Sequence, residues 1–203
     1  MTSRRVAKVA VLGANGAMGS GSGEIFAADG IETVFLARDH EKAREGLERA
    51  QSMAKSEKLA DFIRLGTYGR ELDAAVAEAD LIFEALAEDL ALKQEFFERV
   101  DRHRRPDSIV ATVSSGLSIA AMAKGRSESF RKSFLGIHLF NLNVFVNAAI
   151  LELPSLVETS PIGTLQEPSL QIAFSFVEEH PAAARVGTDL QSFRLARFKK
   201  GPE

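Results

Sequence analysis

Short apolar runs and longer amphipathic stretches alternate along the first two thirds of the chain. Val6 to Leu12 is a β-rich run that ends in glycines, and Ala17 to Asp29 after it has helical spacing at Met18, Ile25 and Phe26. Thr33 to Ala37 is a second apolar run, leading through Asp39, a residue suited to an N-cap, into the charged helix Glu41 to Lys58. The alternation continues with strands at Phe62 to Leu65, Leu81 to Ala85, Ser108 to Thr112 and Phe134 to Leu139. Between them lie helices at Glu71 to Ala79, Leu90 to Asp101 and Ser118 to Ala123. Continuously apolar strands separated by helices predict a Rossmann-type, doubly wound α/β fold, its mainly parallel sheet covered on both faces. Beyond Asn141 the pattern weakens: Asn143 to Leu153 is apolar without a clean period, Pro154, Pro161 and Pro168 interrupt the next stretch, and Gln166 to Glu179 reads as one more helix.

Composition narrows the class. The 203 residues close one large core and are too few for two full domains. The expected division is one large domain over 1–188 and a short C-terminal tail over 189–203. Lys+Arg number 25 and Asp+Glu 28, with no long block of one sign, which argues against a nucleic-acid partner. The basic residues of Ser192 to Lys200 read as a solvated or frayed terminus in preference to a binding patch. The absence of cysteine excludes a disulfide framework, a cysteine nucleophile and a thiolate metal site, and no metal is expected. No apolar run reaches the roughly 20 residues of a membrane span, so a cytoplasmic location is expected.

The glycine turn carries the first chemistry. Gly13, Asn15, Gly16, Ala17, Met18 and Gly19 form G-x-x-G-x-x-G where the first strand hands over to the first helix. One glycine serves the sharp turn, one the approach of a pyrophosphate, and one the close packing of helix on strand. The helix N-terminus adds free N–H groups and a partial positive charge. A dinucleotide site is expected there. At the end of the second strand, where an acid recognises the ribose 2′-hydroxyl of NAD, stand Ala37 and Arg38. Arg38 can pair with the 2′-phosphate of NADP, stack on adenine with NAD bound, or stand exposed without a role.

Three further stretches carry a resemblance. Ala79 to Lys93 (ADLIFEALAEDLALK), Ala111 to Ile119 (ATVSSGLSI) and Phe134 to Asn141 (FLGIHLFN) resemble, in the same order, the nucleotide-binding domain of the 3-hydroxyacyl-CoA dehydrogenases. With the glycine turn they cover Val6 to Asn141, 136 of the 203 residues. The resemblance implies oxidation of a 3-hydroxyacyl-CoA to the 3-oxoacyl-CoA in fatty acid β-oxidation, with NAD as the family's cofactor and NADP open because of Arg38. It implies that His138 is the general base, a task suited to an imidazole titrating near neutrality. Ser115 resembles the serine that holds the substrate oxygen near C3; a helix-capping role is its alternative, one that Ser118 fills more naturally. Glu88 and Lys93 match the pair near the nicotinamide ribose, although their spacing also fits an exposed helix start. Asn141 either orients the loop after His138 or is an ordinary turn residue.

The chain departs from the family's pattern after His138. Leu142 replaces a proline, and Ile150 stands where the family has the glutamate that orients the imidazole. The nearest acid is Glu152, fourteen residues after His138; a bulge could bring it to the histidine, or the shift could turn it away. Only 62 residues follow Asn141, whereas the family's helical second domain needs on the order of a hundred. Thr188 to Arg194 echoes the junction with that domain without its proline and glycine. The expectation is therefore an enzyme of this type acting on acyl-CoA, as a homodimer or completed by a second chain; the alternative is a dinucleotide-binding domain with little or no catalysis. A third reading, another two-domain hydride transferase acting on 3-hydroxy acids or imines, is disfavoured by His138.

Overall fold

The computed structural model describes residues 6–140 and the strand 147–152. Strands are β1 (Lys8–Leu12), β2 (Glu32–Ala37), β3 (Ile63–Thr67), β4 (Leu81–Glu84), β5 (Ile109–Thr112), β6 (Phe134–Phe140) and β7 (Asn147–Glu152). Helices are α1 (Ala17–Ala28), α2 (His40–Ala54), α3 (Leu72–Glu78), α4 (Leu90–His103), α5 (Ile119–Met122) and α6 (Glu128–Ser133). They build one sheet in the order β3-β2-β1-β4-β5-β6-β7. The first six strands run parallel and β7 returns antiparallel to β6. The expected doubly wound fold is what forms.

Alternation along each strand explains the continuous apolar runs. Val9, Val11, Phe35 and Phe83 belong to one cluster with Phe26 of α1, while Ala10, Leu12, Leu36 and Ile82 belong to another with Phe97 of α4 and Phe134. Successive residues thus serve opposite faces, so every position must be apolar. Phe97 packs edge-on against Phe134 with ring centroids 4.9 Å apart, fixing α4 to the sheet.

Several boundaries differ from the sequence-based expectation. The helix begun at Glu41 stops at Ala54, because Lys55 adopts a left-handed conformation with φ 51°, and a 3₁₀ turn spans Glu57–Phe62. The following strand therefore starts at Ile63. Helix α6 was not expected; its N-cap Ser127 accepts a hydrogen bond from the Phe130 N–H. Strand β7 lies in the apolar stretch that had no clean period. Among the described residues, no helix is long and apolar enough to cross a membrane. The expected helix Gln166 to Glu179, the boundary at residue 188 and the tail 189–203 lie outside the described residues.

The strand order reverses between β1 and β4, whose neighbours on the far sides are β2 and β5. In doubly wound sheets a crevice opens at this point beyond the carboxyl ends of the strands, and ligands bind in it.

Candidate active site

At the crevice the turn after β1 is built from backbone. Gly13 has φ +79°, and a Cβ there would lie 2.3 Å from the Ala85 carbonyl oxygen. Its N–H and that of Ala14 both donate to the Leu36 carbonyl at 3.2 Å, and the Gly13 N–H also reaches the Tyr68 hydroxyl at 2.9 Å. A Cβ on Gly19 would lie 2.2 Å from the Gly13 carbonyl oxygen, so glycine permits the close seating of α1 on the turn. Gly16 differs: among the described residues a Cβ there would meet only the Gly13 oxygen, at 3.4 Å. The described residues leave the rest of the space over Gly16 open. Gly16 caps α1 without a side-chain hydrogen bond, and the first turn holds no acid. The N–H groups of Ala17, Met18 and Gly19, lacking intrahelical acceptors, therefore form a donor cradle with the favourable sign for a diphosphate.

The end of β2 offers no free carboxylate. Asp39 caps α2, accepting from the Lys42 N–H at 2.8 Å, and its other oxygen lies 3.3 Å from Arg38 Nε. That hydrogen bond, with the Arg38 charge, holds Asp39 below the usual carboxylate range. Arg38 itself is 73% exposed, at the edge where an adenosine ribose would lie.

Across the crevice, the ends of β4 and β5 are tied by side chains. Glu84, fully buried at the end of β4, accepts through Oε1 from the Leu86 N–H and from Lys93 Nζ, both at 2.6 Å. Its Oε2 accepts from the Thr112 hydroxyl at the end of β5. Lys93 is fully buried as well, which overturns the reading of an exposed helix start at that residue. Its ammonium lies 3.6 Å from Glu88 Oε2, an ion pair between the two candidates, but its closer partner is Glu84. Glu88 Oε1 accepts from the Ser114 hydroxyl at 2.6 Å and the Gly116 N–H at 2.8 Å. Partial burial pushes the Glu88 carboxyl up, but these two hydrogen bonds and the Lys93 charge outweigh it and hold it below its ordinary value. The side chain is still 44% exposed.

Sequence reasoning missed Glu84, Thr112, Ser114 and Tyr68. The one visible signal was Glu84, an acid closing the otherwise apolar strand Leu81–Glu84. Tyr68 stacks edge-on to Phe96, and burial, only partly offset by the Gly13 N–H, pushes its hydroxyl up to about 12. It therefore stays neutral and accepts from the turn as a fixed strut.

The remaining candidates reach the same edge to different degrees. Ser115 is exposed, three residues past the end of β5, and Ser118 caps α5 by accepting from the Ala121 N–H, which removes the capping alternative for Ser115. His138 stands two positions beyond Gly136, the partner of Thr112, and so lies past the end of β5 on the carboxyl side of the sheet. On β7 its register partner is Ala149, while Glu152 stands opposite Gly136. Leu151 is skipped by the register, so a bulge separates Ile150 from Glu152. Asn141 lies outside the described residues.

Residues 8–161 match the family described as the 3-hydroxyacyl-CoA dehydrogenase, NAD binding domain. The chain belongs to this family. NAD is accordingly the cofactor of its dinucleotide site. A probable 3-hydroxyacyl-CoA dehydrogenase of Bacillus subtilis is 33% identical over 184 residues, 78% of this chain and 23% of that protein. The mitochondrial hydroxyacyl-coenzyme A dehydrogenase of Homo sapiens is 27% identical over 194 residues, covering 89% of this chain and 59% of the human protein. The chain thus spans less than two thirds of each of these relatives. Among solved structures, the dehydrogenase part of multifunctional enzyme 1 from C. elegans superposes on 96% of the chain and 44% of its own, with a TM-score of 0.70 at 23% identity. That likeness is one of fold.

Proposed function

We propose that the chain is the cofactor-binding part of a 3-hydroxyacyl-CoA dehydrogenase, oxidising the C3 hydroxyl of an acyl-CoA to a ketone in fatty acid β-oxidation. The observation that carries the reading is the convergence of the family's motifs on one edge of the sheet. The glycine turn, Glu88 and Ser115 stand beyond the carboxyl ends of β1, β4 and β5, and the backbone of His138, within β6, lies past the end of β5 on the same side. Ala17, Met18 and Gly19 hold the diphosphate by their backbone N–H groups, Gly13, Asn15 and Gly16 form the turn over which it lies, Arg38 lies along the adenosine, and Glu88, braced by Lys93, faces the nicotinamide ribose.

NAD, when bound, supplies the acceptor for the hydride that leaves C3. Ser115 donates a hydrogen bond to the substrate oxygen and fixes the carbon it is attached to. His138 takes the hydroxyl proton as the carbonyl forms and returns it in the reverse direction. On the family's pattern a carboxylate orients the imidazole, a role assigned to that of Glu152 on β7, and Asn141 supports the histidine. The acyl chain is closed over by residues supplied through a homodimer or a second chain.

The test is oxidation of NADH with acetoacetyl-CoA, followed at the NADH absorbance band. Turnover that His138→Gln abolishes, with the melting temperature unchanged, is the expected result; a folded chain inactive with NADH and NADPH alike contradicts the catalytic reading. NADH binding without turnover favours the alternative, a dinucleotide-binding domain that needs the rest of its relatives' length, of which the chain spans 23% in the Bacillus subtilis protein and 59% in the human one.

A further inference from the structure

Glu84 is not among the residues the family resemblance points to, and it touches no solvent. Burying an ion pair such as Glu84–Lys93 gives little net stability, because desolvation of both charges offsets their attraction, and an apolar pair of similar volume serves a core as well. The distinctive property of this pair is what it connects. Glu84 holds the loop after β4 through the Leu86 N–H, the start of α4 through Lys93, and the end of β5 through Thr112. The Thr112 hydroxyl in turn accepts from the Ser114 N–H at 3.1 Å, and Ser114 donates its own hydroxyl to Glu88. Two chains of contact therefore run from the Glu84 carboxylate to Glu88: one from Oε1 through the Lys93 ammonium, the other from Oε2 through Thr112 and Ser114. The carboxylate at the crevice is set from both sides by the carboxylate beneath it.

We infer that Glu84 is a positioning residue for the nicotinamide half of the cofactor. It acts through Lys93 and through Thr112 and Ser114 to hold Glu88, and with it the Ser115 loop, in a fixed place. The inference rests on the dinucleotide reading of the crevice. It separates the two halves of the ligand, because the glycine turn that receives the diphosphate hydrogen-bonds instead to Leu36 and Tyr68.

The experiment is calorimetric titration of the unchanged chain and two variants with NADH and, separately, with ADP, which lacks the nicotinamide half. Glu84→Gln leaves the Lys93 ammonium buried without its carboxylate, so the doubly substituted Glu84→Leu/Lys93→Met, which removes both charges, is the second variant. In each variant that melts cooperatively, NADH affinity is expected to fall about tenfold, the scale typical of lost outer-layer support, with ADP affinity unchanged within about twofold. Equal weakening of both ligands, or unchanged NADH affinity in the double variant, overturns the inference. If the unchanged chain binds ADP and NADH and only the selectivity fails, the positioning role alone is lost. If it melts cooperatively and binds neither ligand, the cofactor reading falls and the inference with it.

Discussion

The two walls of the crevice are made in different ways. After β1 the wall is backbone: Gly13 and Gly19 approach other backbone atoms so closely that no Cβ fits, and the hydrogen bonds come mainly from main-chain groups. After β4 and β5 the wall is side chains: Glu84, Lys93, Thr112, Glu88 and Ser114 satisfy one another, partly out of reach of water. A backbone wall fails by steric strain, whereas a polar wall fails when one partner is removed and the other is left buried and unmatched. The difference gives each wall its own signature under substitution.

The largest effect is expected from Lys93→Met. It strands the Glu84 carboxylate in the core, and chemical denaturation should show a loss of about 3–5 kcal/mol, the range for breaking a buried pair. A loss below about 1 kcal/mol would mean that the pair is not the brace of this wall. Gly19→Ala comes next. The new Cβ meets the Gly13 carbonyl, a backbone atom that cannot step aside, and overpacking of this kind costs about 1–3 kcal/mol by the same measurement. An unchanged stability would show that α1 is not seated as closely as described.

The smallest effect is electrostatic. Because the folded-state pKa of Glu88 lies below its unfolded value, roughly 4.3, its ionisation stabilises the fold above that pH, and this contribution disappears as the pH falls through the folded value. Glu88→Gln should therefore flatten the acid limb of stability below about pH 4. Partial exposure of the group keeps the change small. The first turn of α1 carries no acid, so the glycine wall has no matching sensitivity there.

The same contrast explains what could be read from the sequence. Glycine spacing after an apolar strand is itself the steric requirement, so the turn was legible residue by residue. The polar wall depends on pairs far apart in the chain: Thr112 lies 28 residues from Glu84, and Gly116 lies 28 from Glu88. No local pattern announces such pairs, which is why the spacing at Lys93 also fits an exposed helix start and Ser114 carries no signal beside Ser115. Most strands were legible because burial on both faces leaves long apolar runs. Strand β7, an antiparallel return with a bulge, has neither alternation nor a run bounded by turns. Helix α6 is only six residues long, too short for a period to register.

In the proposed function, the space over Gly16 receives the cofactor's diphosphate. Titration of the chain and of Gly16→Ala with NADH, alongside their melting curves, tests it most directly. A Cβ at Gly16 stands at tolerable contact distance from the protein, so the two should melt within a few degrees of each other. Saturable binding of one NADH per chain is expected, weakened at least about tenfold in the variant because the methyl group would stand where the diphosphate approaches the backbone. Equal NADH affinity of both proteins at equal stability would contradict it.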